Sequence, residues 1–84
     1  MKLTADRTYA EPEAAARKLL DIVRASIAES KLPYAYTGAT NIAFMRAGGS
    51  VPEYSAGVAF AKARHWFQIE RSGTRIELLP DGAE

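Results

Sequence analysis

The chain has 84 residues, 48% of them apolar and 25% charged, no cysteine, and a net charge of +1. That describes one ordinary globular domain over residues 1–84, with a core limited to roughly 60–65% of its unfolded surface. It excludes disulfides, thiolate zinc sites, a polybasic tract and an apolar run long enough to cross a membrane.

Residues 1–10, "MKLTADRTYA", carry charges where an export signal needs an apolar stretch, so the expectation is a cytoplasmic chain. The first element is "PEAAARKLLDIVRASIAES", a helix from Pro12 to about Lys31. Pro12 suits its first position, and Glu11 and Glu13 suit the positive end of its dipole. Ala16, Leu19, Leu20, Val23 and Ile27 fall on one face, with Lys18, Asp21, Ala25 and Glu29 opposite. Pro33 keeps Leu32 from helical dihedrals and ends the helix. "YAYT" (34–37) reads as a brief strand. "ATNIAFMRAG" is a second helix, with Thr37, Thr40 or Asn41 as its cap and Gly48 as its left-handed stop.

Ser50 and Glu53 form an S-x-x-E capping box that starts a third helix running to about Arg64. Val51, Tyr54, Val58 and Ala61 make its inward stripe, and Gly57 on the flank admits a neighbouring helix. "WFQIERSGTRIELL" (66–79) is a hairpin turning at Ser72-Gly73. Pairing Arg71 with Thr74 sets Ile69 opposite Ile76, Phe67 opposite Leu78 and Glu70 opposite Arg75. The apolar side chains then share one face, with Gln68, Glu70, Arg75 and Glu77 on the other.

This order of elements, over residues 12–83, resembles the winged helix-turn-helix family. The most specific part is "GGSVPEYSAGVAFAKARHWFQIERSGTRIELLPDG". Members commonly end the third helix on a glycine-hydrophobic step and close the wing with leucine-threonine-x-x-glycine. Here His65 takes the glycine place and Leu79-Pro80-Asp81-Gly82 the closing one; histidine accepts left-handed dihedrals. The chain also resembles small stand-alone bacterial members with no assigned activity. The resemblance implies an α+β fold of three helices, a short strand after the first and a two-stranded wing.

Chemistry follows from what is present. His65 is the sole histidine and has no nucleophile or orienting partner at motif spacing, so the reading is non-enzymatic. With no cysteine and no histidine pair, neither a metal nor a cofactor is expected. Gly48-Gly49 lacks the spacing of a phosphate loop.

Two binding readings remain. The resemblance implies a transcription regulator holding double-stranded DNA with the third helix and the wing. Its contacts would be Arg46, Ser50 with the open N–H groups of the helix start, Ser55, Lys62, Arg64, Arg71, Thr74 and Arg75. Lys62 and Arg64 also fit plain surface charges, and Arg75 fits a partner for Glu70. The alternative is a protein contact, in a homodimer or with another partner, through Pro52, Ala56, Ala59, Phe60 and Ala63. There the plain reading folds Phe60 onto Trp66 or the first helix.

Overall fold

The computed structural model describes residues 8–83. The reading of the first seven residues as free of an export signal lies outside them. Among the described residues the chain is α+β, with four helices and a three-stranded antiparallel sheet: α1 Pro12–Ser30, β1 Ala35–Tyr36, α2 Thr37–Arg46, α3 Val51–Ala63, β2 Phe67–Ile69, β3 Arg75–Leu78 and α4 Pro80–Ala83. Among the described residues, no helix is long and apolar enough to cross a membrane.

α1 buries Ala15, Ala16, Leu19, Leu20 and Val23, the 3.6-residue pattern of its sequence. It stops through Lys31, left-handed at φ 65°, whose N–H bonds to the Ile27 carbonyl. α2 begins one residue after β1, with Tyr36 as its N-cap and no side chain capping it. Thr37, Thr40 and Asn41 are therefore inside the helix, not at its cap. Thr40 is buried and donates to the Tyr36 carbonyl, the i to i−4 bond open to a helical threonine.

α2 and α3 end in the same way. The N–H groups of Gly48 and Gly49 bond back to Met45 and Phe44, and those of His65 and Trp66 to Lys62 and Ala61. Both are Schellman closures, which need a left-handed residue. Gly48 supplies one at φ 103° and His65 the other at φ 60°.

α3 starts on a complete capping box between Ser50 and Glu53. Of its expected inward stripe, Ala61 is buried and Tyr54 and Val58 pack partly buried against the core, but Val51 is 67% exposed, and Glu53 and Gly57 are buried besides. The reason is the close approach of α1. A Cβ on Gly57 would lie 2.9 Å from both Ala15 Cβ and Leu19 Cδ1. The contact is centred on Gly57, which turns Val51 to the outer margin.

Tyr54 lies half-buried beside that seam, and its hydroxyl is buried without a hydrogen-bond partner among the described residues. Burial pushes its phenol above the usual value. The native state therefore holds this proton more tightly than the unfolded chain does. The associated stability is present below about pH 10 and is lost as pH rises from there through the folded pKa. Tyr54→Phe removes both the stranded hydroxyl and that alkaline loss. Its unfolding free energy from urea titration is expected to match or exceed the wild type at pH 7, by up to about 1 kcal/mol. The difference should widen at pH 10.5; a less stable variant at both pH values refutes this account.

The sheet runs β1-β3-β2, with Phe67 opposite Leu78, Gln68 opposite Glu77, Ile69 opposite Ile76, and Ala35 opposite Ile76 across β1. The β2–β3 register is the expected one, but the turn is wider than two residues. The backbone of Glu70 bonds to Arg75 and to Gly73, leaving residues 71–74 as the loop. After β3 the chain folds into α4, where the resemblance implied only a wing-closing Leu79-Pro80-Asp81-Gly82 and no further helix. The Trp66 carbonyl accepts from the Leu79 N–H, and Arg24 Nε donates to the Gly82 carbonyl at 2.7 Å.

Candidate nucleic-acid interface

The start of α3 is the natural place to look for an anion, and the capping box has used most of it. Glu53 N–H donates to Ser50 Oγ at 3.3 Å, Ser50 N–H donates to a Glu53 carboxylate oxygen at 3.0 Å, and Tyr54 N–H donates to the Ser50 carbonyl. Pro52 has no N–H. Among the described residues, only Val51 keeps an open backbone donor here, next to the Glu53 carboxylate's bond to Ser50. At this helix end Ser50 therefore serves as a cap, its hydroxyl and N–H both engaged with Glu53.

Glu53, in turn, is only 8% exposed, so its charge is withdrawn from the outer face. That face presents Pro52, Ser55, Ala56, Ala59, Lys62 and Ala63, all exposed. Of these only Ser55 and Lys62 carry hydrogen-bonding side chains.

Phe60 does not centre this patch. It is partly buried, its ring 5.8 Å from that of Trp66, with the Arg64 guanidinium 4.6 Å above it. Arg17 covers Trp66 at 5.3 Å and pairs with Glu13 at 2.6 Å. The plain reading of Phe60, folded onto Trp66, is the observed one. Arg64 and Phe60, assigned to rival sites by the sequence, are one stacked pair.

The hairpin tip exposes Arg71, Ser72, Gly73, Thr74 and Arg75. Glu70 and Arg75 are joined through the backbone as expected, but their side chains do not form the expected ion pair. The Glu70 carboxylate turns into the loop, accepting from the Ser72 N–H at 3.0 Å and from the Ser72 hydroxyl. Arg75 lies over the Tyr34 ring at 4.7 Å. Glu77 is held by Gln68 Nε2 at 2.7 Å. A consistent asymmetry results from residue 46 to residue 78. Glu53, Glu70 and Glu77 are each engaged by a hydrogen-bond donor, whereas Arg46, Lys62, Arg64, Arg71 and Arg75 are exposed and make no ion pair among the described residues.

Three residues around the tip were missed by sequence reasoning. Thr37 donates through its N–H to the Thr74 carbonyl at 2.9 Å and through Oγ1 to the Gly73 carbonyl at 2.8 Å, tying the tip to the start of α2. Tyr34 and Tyr36 stand edge to face beside it. The alternation of "YAY" carried the signal that both rings share a face. That β1 would pair with β3 had no signal at all. Among the described residues, no group of histidine, aspartate and glutamate side chains is arranged to hold a metal ion. No family model matches the chain, and searches of the curated proteins and of the solved structures find no significant match.

Proposed function

We propose that the chain is a winged helix-turn-helix that binds duplex DNA, with α3 toward the major groove and the β2–β3 hairpin as the wing on the backbone. The observation that carries the reading is the charge asymmetry between Arg46 and Leu78, in which the carboxylates are occupied and the five cations open to solvent. Such a surface suits polyphosphate. Base readout is a lesser part of the reading, since the outer face of α3 offers Ser55 and Lys62 and otherwise proline and alanine. Specific recognition in the major groove relies on arginine, lysine, asparagine or glutamine reaching base edges. Backbone contact therefore dominates, and sequence preference is weak.

The test is fluorescence anisotropy with random duplex across a salt series. Four or five phosphate contacts give a log–log slope of affinity against salt of about −3.6 to −4.5. Absence of binding at 20–50 mM salt, roughly the range where such contacts are strongest, ends the proposal.

A further inference from the structure

Beside the hairpin tip lies a group of donors that the reading above does not use. The Tyr34 and Tyr36 hydroxyls converge to 3.5 Å, with their rings 5.4 Å apart and nearly perpendicular. Tyr36 is 50% exposed and sits opposite Arg75 in the β1–β3 register. The Arg75 guanidinium carbon lies 4.7 Å from the centroid of the Tyr34 ring, which places the charge beside the two phenols. Thr37, next in the chain, holds the tip carbonyls of Gly73 and Thr74, so the loop is fixed relative to the two phenols.

At 3.5 Å the two hydroxyls are at the long limit of a hydrogen bond, and at most one proton lies between them. The other O–H has no acceptor among the described residues. An anionic oxygen set between them receives both, in the short, charge-assisted geometry that is stronger than a neutral pair. The carboxylates that would otherwise compete are occupied, Glu77 by Gln68 and Glu70 by Ser72.

We propose that Tyr34, Tyr36 and Arg75 form a clamp for one phosphodiester of the DNA backbone, continuous with the exposed Arg71 and Thr74 of the tip. This rests on the DNA-binding reading and names a contact within it. The two phenols donate to one phosphate oxygen while Arg75 supplies the countercharge. Because the phenols are neutral, they add affinity without releasing counterions, which gives the clamp its own signature.

Tyr34→Phe/Tyr36→Phe keeps both rings and the Arg75 stack, and its thermal midpoint serves as the folding control. In duplex titrations this variant is expected to bind about tenfold more weakly with an unchanged salt slope, and Arg75→Gln to reduce the slope by about 0.9. Wild-type affinity in the double phenylalanine variant overturns the clamp and leaves the DNA reading standing. So does a loss confined to a single-stranded probe, which would place the two hydroxyls on single-stranded nucleic acid and not on the duplex backbone. Failure of the wild type to bind any duplex at low salt removes the DNA reading, and the clamp with it.

Discussion

Gly57→Leu is expected to lower the thermal midpoint by roughly 12–24 °C, the equivalent of about 3 kcal/mol in a domain of this size. Even a methyl at this position meets Ala15 Cβ and Leu19 Cδ1 at 2.9 Å and the Ala15 carbonyl carbon at 3.1 Å. Neither α1 nor α3 can accommodate three further carbons without separating. Separation uncovers the seam on which Ala15, Leu19 and Ala61 are fully buried. Total stability for a chain of this length is about 4–13 kcal/mol, so the loss is a large fraction of it. Ala59→Leu is the matched control, the same side chain on the exposed face of the same helix, where the change should stay within about 0.5 kcal/mol. A Gly57→Leu midpoint within about 4 °C of the wild type would mean the two helices are not packed this closely.

The second large effect concerns binding. Replacing Arg46, Lys62, Arg71 and Arg75 together with glutamine is expected to weaken duplex binding about a thousand-fold at 50 mM salt and to flatten the slope to about −0.9. All four side chains are exposed, so the circular dichroism spectrum and thermal midpoint should stay close to those of the wild type. The residual slope would belong to Arg64, whose guanidinium is committed to the Phe60 ring but whose charge remains open to solvent. Anisotropy across a salt series reads both quantities at once. Undiminished affinity in the quadruple variant would show that these cations do not form the contact surface.

The stacking of Arg64 on Phe60 and of Arg17 on Trp66 bears on the protein-contact alternative. Pro52, Ala56, Ala59 and Ala63 remain exposed, but the one large side chain of that group is already packed by its own chain. Hot spots of protein interfaces are aromatic or arginine anchors that fill a partner's pocket. A patch of alanine and proline without its phenylalanine offers none.

What the amino-acid order determined alone was a set of features whose interaction partners are close along the chain. The apolar face of α1, the reciprocal bonds of Ser50 and Glu53, the left-handed stops at Gly48 and His65, and the pairing of Phe67 with Leu78 all follow from spacings of two to eleven residues. There, backbone geometry leaves few alternatives. Tertiary packing decided what a long or exposed side chain does once other elements arrive. Val51 faces outward because Gly57 sets the α1 seam. Arg75 leaves Glu70 for the ring of Tyr34, because β1 pairs with β3 and brings that ring alongside. Glu70, released, takes Ser72. α4 forms where the Trp66 carbonyl accepts the Leu79 N–H and Arg24 holds Gly82. An arginine or glutamate has several rotamers of nearly equal energy, and the choice among them falls to neighbours that sequence spacing does not reveal.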